Sequence, residues 1–229
     1  MRSETGIKPE LVQQFLEISL KEFKERNWGV TEQYLGVMEI LTEDDLPVIA
    51  KVEETEDGYA VYFAVRAEKF YYTHYFEGSN SFQLIAIDIT PCTEAYLSVY
   101  SDKMDVDEMI TFTTLPIRKR HNKGDLRGSG KNKETIWKDS RFDFQPDLNK
   151  AGDFENKLKV LLHKLEAYKH ELDKLRSLGC EMFVSTFMDA YVNNTIVGGF
   201  FLDKTIIEKL KDLELELSFD IHVSGTPFK

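Results

Sequence analysis

The sequence predicts an α+β fold, with antiparallel or mixed sheets packed by one long and several short helices, and three observations carry that prediction. Leu215, Leu217, Phe219, Ile221 and Val223 alternate with Glu214, Glu216, Ser218, Asp220 and His222, the period of two of a strand with one buried face. Phe154, Leu158, Leu161, Leu165, Tyr168, Leu172 and Leu175 recur at alternating steps of four and three, the period of an amphipathic helix. Asp57-Gly58 joins two extended runs and is a favoured two-residue hairpin turn.

The elements follow in order. Leu11, Val12, Phe15, Ile18 and Phe23 behind Pro9 predict a helix from Pro9 to Arg26, ended at Asn27-Trp28-Gly29. Tyr34 to Leu41 and Val48 to Glu54 read as extended, and Tyr59, Val61, Phe63 and Val65 alternate after the turn. Phe70, Tyr71, Tyr72, Tyr75 and Phe76 continue this character until Glu77-Gly78-Ser79-Asn80 breaks it. A first lobe, 1–80, is expected to end here, with a second over 81–229.

The second lobe opens on an apolar run, Phe82 to Ile89, stopped by Pro91. Thr93 to Tyr100 reads as a short helix, Ile110 to Leu115 as β-rich, 118–133 as a long polar loop or loop-tipped hairpin, and Ile136-Trp137 as a return to strand. The long helix spans 153–178, started by Gly152-Asp153 and stopped by Gly179. Cys180 to Val192 reads as a strand. Asp203 then caps a short helix holding Ile206, Ile207, Leu210 and Leu213 before the last strand. Strand, helix, two strands, helix, strand is the order of a ferredoxin-like split βαβ unit, here with a helix and strand added.

A chain of 229 residues, 42% hydrophobic and 12% aromatic, can bury a substantial core. Its net charge of -11 argues against indiscriminate binding to nucleic acid or anionic membrane and favours a basic partner. No h-region and no long apolar window is found, so a cytoplasmic protein away from membranes is expected. The Asn193-Asn194-Thr195 sequon then has no consequence. Cys92 and Cys180 stand far apart in apolar surroundings and are expected to be buried thiols, with neither a zinc site nor a disulfide framework between them. No cofactor motif is present.

These landmarks are similar to a bacterial family known as domain of unknown function 4279. The matching positions are the Ile85 to Pro91 strand end, Gly124-Asp125, Trp137, the leucine-rich helix leading to Gly179-Cys180, Gly199-Phe200-Phe201-Leu202-Asp203, and Leu215 to Ile221. The resemblance covers Phe82 to Val223. It implies a bacterial or phage-related intracellular protein of accessory gene neighbourhoods, and it carries no catalytic residue to this chain.

Three candidate surfaces remain. Arg118, Lys119, Arg120, Lys123, Arg127, Lys131 and Lys133 form a cationic stretch on an acidic chain, suited to a phosphate backbone or an acidic partner; a solvated loop tip is the blander account. Within it Gly128-Ser129-Gly130-Lys131 fails as a phosphate loop, since Asp125 and Asn132 stand where Gly and Ser or Thr are needed. Glu53 and Glu54, with Glu43-Asp44-Asp45, Glu214, Glu216 and Asp220, make a possible acidic surface, and Tyr71 and Tyr72 are candidate protein anchors. Asp220 and His222 share one face of the last strand and suit acid-base chemistry only if a nucleophile approaches. His163 and His170, seven apart on a helix, lie about 10 Å from each other, too far to share one metal.

The expectation is therefore a non-enzymatic protein-binding module, of the kind that acts in immunity, defence or counter-defence by masking a partner through acidic and aromatic surfaces. The alternative is nucleic-acid or nucleotide-phosphate binding through 118–133.

Overall fold

The computed structural model describes residues 7–79, 81–127, 135–194 and 200–228. Helix α1, Pro9–Glu25, begins on proline, whose missing N–H costs nothing at that position, and ends as Arg26 turns left-handed at φ 52°. It buries Phe15 and Glu22. The Glu22 carboxylate accepts the Trp28 N–H at 3.0 Å and the Thr31 hydroxyl at 2.6 Å. With its entry held this way, Gly29–Leu35 forms α2, where the sequence predicted extended chain to begin at Tyr34.

A small hairpin, β1 (Thr42–Glu43) and β2 (Leu46–Pro47), precedes a four-stranded antiparallel sheet. Its strands β3 (Ile49–Thr55), β4 (Gly58–Ala64), β5 (Tyr71–Glu77) and β6 (Gln83–Thr90) lie in chain order. The predicted hairpin is present, and its glycine is required: Gly58 has φ +154°, and a Cβ there would stand 2.0 Å from the Phe76 carbonyl oxygen. Val61, Phe63, Tyr72, Phe76 and Ile89 point to one face and form a core with Phe15 of α1. The other face carries Tyr62, Tyr71 and Tyr75 and meets Ala151.

The second sheet has the order β11-β10-β7-β9-β8. Its strands are β7 (Cys92–Ser101), β8 (Lys119–His121), β9 (Ser140–Phe144), β10 (Glu181–Tyr191) and β11 (Glu216–Ser224). The first four lie as fourth, first, third, second, all antiparallel, which is the ferredoxin-like arrangement. The added strand β11 runs parallel to β10 and is reached through α6, Lys204–Asp212, as a parallel neighbour requires a crossover.

The strand, helix, two strands, helix, strand order is present, but other elements fill it than those predicted: its first strand is β7 and its third is β9, with Ile136 in an isolated bridge to Leu126. Thr93 to Tyr100 is strand β7, because Ala95, Leu97 and Val99 alternate toward the helices. Ile110 to Phe112 is a 3-10 turn behind the short helix α3, Val106–Met109. The run Phe82 to Ile89 belongs to the first sheet, so the sheets change over at Pro91 rather than near residue 80.

The helix expected over 153–178 is two, α4 (Phe154–Glu166) and α5 (Lys169–Ser177). Between them Tyr168 leaves helical dihedrals, at φ -105° and ψ 8°, with its ring 6.2 Å from that of Phe144. The apolar stripe continues across the break, burying Phe154, Leu158, Leu161, Leu165, Leu172 and Leu175 against β7, β9 and β10. Cys92 and Cys180 are both buried and free.

The two sheets touch at the C-terminal end of β10, and a buried lysine ties α4 to β7. Tyr191 of β10 belongs to the first core, its ring 5.0 Å from Phe70 and 5.8 Å from Phe228. Lys157 of α4, itself buried, donates to the Thr93 carbonyl at 2.7 Å and the Lys150 carbonyl at 2.8 Å.

Candidate functional site

The last strand is placed by ordinary local chemistry. Asp203 accepts the Ile206 N–H at 2.8 Å and starts α6. Glu214, at φ 51°, turns the chain back. β11 then pairs with β10 at nine consecutive register positions without a bulge and, among the described residues, has no second neighbour in the sheet.

Its apolar side chains fare unequally. Leu215 and Leu217 join the core below α4 and α6, and Phe219 packs its ring 4.4 Å from Phe200 and 5.8 Å from Phe154. Beyond this point the helical layer stops, since Phe154 is the first residue of α4. Ile221 and Val223 are 49% and 62% exposed. The expectation that all five face inward thus holds for the first half of the strand and is corrected for the second.

The main chain of β11 is equally uneven in its partners. The Ser218 carbonyl accepts from the Thr186 hydroxyl and the Ser224 carbonyl from the Val192 N–H, both at 2.8 Å, so even-numbered residues turn their main-chain groups to β10. By strand alternation, Leu217, Phe219, Ile221 and Val223 turn theirs outward.

On the opposite face, His222 Nε2 lies 3.3 Å from Asp220 Oδ1, with the two side chains 57% and 70% exposed. They stand on an open surface, and among the described residues no nucleophile contacts them, which is the condition the acid-base reading needed. Their face of the strand is polar, the other apolar.

The basic stretch is a hairpin, as the sequence allowed: Gly124 N–H donates to the Trp137 carbonyl and Arg127 N–H to the Thr135 carbonyl. Lys131 and Lys133, with the loop tip, lie outside the described residues. The others do not form a free cationic groove. Arg118 is 3.4 Å from Glu94, Arg120 is 2.9 Å from Asp107, and Lys123 donates to the Asp102 carbonyl at 3.1 Å. Arg127 lies over the Trp137 ring at 4.3 Å, and His121 stacks on that ring at 3.8 Å. Lys119 alone of the described five is exposed with no such contact.

The acidic and aromatic candidates on the first sheet also separate. Glu53 is half-buried and bonded to Lys51, Tyr62 and the Asp153 N–H, whereas Glu54 is exposed. Tyr71 and Tyr72 point to opposite faces of β5, and Tyr72 is fully buried beneath α1 and α2. They cannot anchor one partner together.

Sequence reasoning missed a polar network on the helix-free face of the second sheet. Arg141 Nε donates to Asp143 at 2.6 Å and its Nη2 to Ser98 at 3.0 Å, and Ser98 bonds Ser185 at 3.0 Å. The guanidinium lies 4.9 Å from the Tyr100 ring, which stacks on Phe183 at 5.0 Å. The available signal was Arg141 and Asp143 alternating with Phe142 and Phe144, a strand too short to stand out. Among the described residues no group of three or more His, Cys, Asp or Glu side chains is placed to hold a metal ion, and no helix is long and apolar enough to cross a membrane.

The family model of a domain of unknown function (DUF4279) matches residues 90–224, the full second sheet with its helices. No curated protein and no solved structure matches the chain.

Proposed function

We propose that this chain, which belongs to the DUF4279 family, is a non-enzymatic module that binds another protein by accepting an extended segment along β11. One observation carries the reading: a nine-residue, bulge-free edge strand with Phe219, Ile221 and Val223 exposed. Folded proteins blunt such edges with bulges, prolines or short length, because outward N–H and C=O groups recruit further strands. Among the described residues this edge has no bulge and no proline and is not short, and its charges, Glu216 and Asp220, sit on one face.

The occupant is a strand in which basic and apolar residues alternate. Its apolar side chains would lie beside Phe219, Ile221 and Val223, and its basic ones beside Glu216, Asp220 and the rest of a chain of net charge -11. A second copy fits worse. Antiparallel pairing of two β11 edges about Asp220 sets acid against acid, whereas pairing about Ile221 sets Asp220 against His222, so a basic strand gains more from Glu216 and Asp220 than a second copy does. Strand addition draws affinity from the main chain and specificity from alternate side chains. Occupying a basic partner's strand is also a means of masking it, which is how a cytoplasmic immunity or defence protein would use this edge.

The phosphate-binding alternative has less to draw on, because Arg118, Arg120 and Lys123 have partners within the protein, while Lys119 is exposed and Lys131 and Lys133 lie outside the described residues.

Peptide display against the full chain tests the reading. Recovered sequences should alternate basic and apolar residues, and hydrogen exchange in their presence should slow at Leu217, Phe219, Ile221 and Val223. Added salt should slow association more than it speeds dissociation. Recovery of no alternating basic sequence, or protection elsewhere, or self-association at this edge in sedimentation, would overturn it.

A further inference from the structure

A cleft of about 360 Å³ lies where the two sheets meet the N-terminus of α4. That is within the range of small-ligand sites. Its walls are of two kinds. Tyr62 and Tyr75 of the first sheet line it together with Phe154 of α4 and Phe200 ahead of α6, and Met188 and Ala190 of β10 add apolar surface. Asp88, Asp153 and Glu155 also line it, and among the described residues no lysine, arginine or histidine does.

These three acids lack cationic partners, although other acids nearby have them. Among the described residues none forms an ion pair within 4.0 Å. Glu53, one strand away, pairs with Lys51 at 3.1 Å, and Lys159 on the next turn pairs with Asp203 at 2.9 Å. Asp88 is half-buried, and the hydrogen bond it accepts comes from its own neighbour, the Ile89 N–H at 2.7 Å. Burial pushes its carboxyl above the usual range. Asp153 accepts the Asn156 N–H at 3.0 Å. Burial and a hydrogen bond with the Glu155 carboxyl push it up to about 6. Around Asp153 stand Lys51 and Glu53 of β3, Tyr62 of β4, Tyr75 of β5, and Glu155 and Lys159 of α4. Both known cations in that list already have carboxylate partners.

A compact metal ion does not suit these acids, which do not converge as a ligand set. A cation with an apolar body does, because aromatic faces attract an ammonium group while aliphatic carbons pack on Met188 and Ala190. We propose that the cleft between the two sheets binds an aliphatic ammonium compound, held by Asp88 and Glu155 and enclosed by Tyr62, Tyr75, Phe154 and Phe200. This site is separate from the β11 edge and does not rest on the strand-docking reading. Its ligand is either a free polyamine or the side chain of a partner's lysine, which share the same chemistry.

Calorimetric titration of the full chain with spermidine, and separately with Nα-acetyl-lysine amide, distinguishes the two sources. Saturable binding of at least one is expected. Asp88→Asn and Glu155→Gln, which keep an acceptor oxygen, should each weaken it on the order of fivefold to tenfold, as loss of one charge contact predicts. Glu54→Gln with Asp57→Asn removes two negative charges elsewhere and should leave it unchanged. Affinity should fall between about pH 7.5 and about pH 5, as Asp153, which lines the cleft beside Glu155, takes up its proton and the cleft loses a negative charge. No saturable binding of either compound, or equal weakening by the remote pair of substitutions, would overturn the proposal.

Discussion

Glu53 accepts the main-chain N–H of Asp153 at 3.0 Å, so an acid of the first sheet holds the entry to the helix that covers the second. The same carboxylate takes Lys51 at 3.1 Å, Tyr62 at 3.0 Å and the Asn156 side chain at 3.3 Å. Asp153 meanwhile caps α4 itself. A residue that reads in sequence as surface charge is therefore a polar joint between two lobes. Its neighbour Glu54 keeps the surface position.

Glu53→Ala should lower stability by about 2 to 3 kcal/mol in urea unfolding, since hydrogen bonds to a charged group are each worth roughly 1.5–3 kcal/mol. Glu54→Ala should stay within about 0.5 kcal/mol of the parent. Burial raises the Glu53 carboxyl, but the Asp153 N–H and Lys51 outweigh it and hold the carboxyl below its ordinary value. A depressed carboxyl stabilises the fold above the unfolded-state pKa of about 4.3 and loses that contribution as pH falls through the folded value. The stability gap between the parent and Glu53→Gln should accordingly narrow below about pH 4. A gap independent of pH would show that the carboxylate charge is not what matters.

Lys157 gives a pH dependence of the opposite kind. Burial lowers its ammonium to about 8, and it donates to Thr93 and Lys150 from within the core. Below about pH 8 both states carry the proton, and the folded state bears the cost of a buried charge. Between about pH 8 and about pH 10.4 the unfolded chain keeps the proton that the folded chain has released, so stability rises. The stability of the parent relative to Lys157→Met should therefore grow across that window by up to ~3 kcal/mol. A flat difference would mean that the amine is solvated in the folded state.

Periodicity made much of this fold legible. The helical stripe from Phe154 to Leu175, the alternation after Leu215 and the Asp57-Gly58 turn are local patterns, and each corresponds to its element. β7 was misread although Ala95, Leu97 and Val99 alternate, because its other face carries Tyr96, Ser98 and Tyr100, polar groups whose partners come from β9 and β10. Glu53 was misread for the same reason, since Asp153 lies 100 residues on. The exposed half of β11 was also out of reach. Alternation marks a face as apolar, whereas what covers it depends on where α4 begins.

Gly225 tests how firmly the C-terminal segment clasps the first lobe. It has φ +97°, and a Cβ would stand 2.7 Å from the Tyr191 ring and 2.9 Å from that of Phe70. Gly225→Ala should cost about 1 to 3 kcal/mol through backbone strain and overpacking. The control is Gly29→Ala, where a Cβ meets nothing within 4 Å, and which should be neutral or stabilising by up to about 1 kcal/mol. Thermal unfolding of both variants reads the difference. Similar melting temperatures would place the Tyr191 and Phe228 contacts outside the cooperative core.

The edge of β11 permits a substitution that separates docking from folding. Ile221 turns its main chain away from β10, so Ile221→Pro removes an outward N–H and leaves the ladder between β10 and β11 in place. Proline is tolerated on edge strands in that orientation. Its side chain is half exposed, so the loss of packing is small, and the melting temperature should shift by no more than a few degrees. Binding of a strand-forming peptide, by contrast, needs that N–H and a clear approach, and should weaken on the order of tenfold or more. Ser218→Pro is the reciprocal case. Its main chain faces β10, as its carbonyl contact with Thr186 shows, so proline there should break the ladder and destabilise the fold directly. If Ile221→Pro binds selected peptides as the parent does, the peptides dock on a face of the sheet rather than its edge, and strand addition is not the mode of recognition.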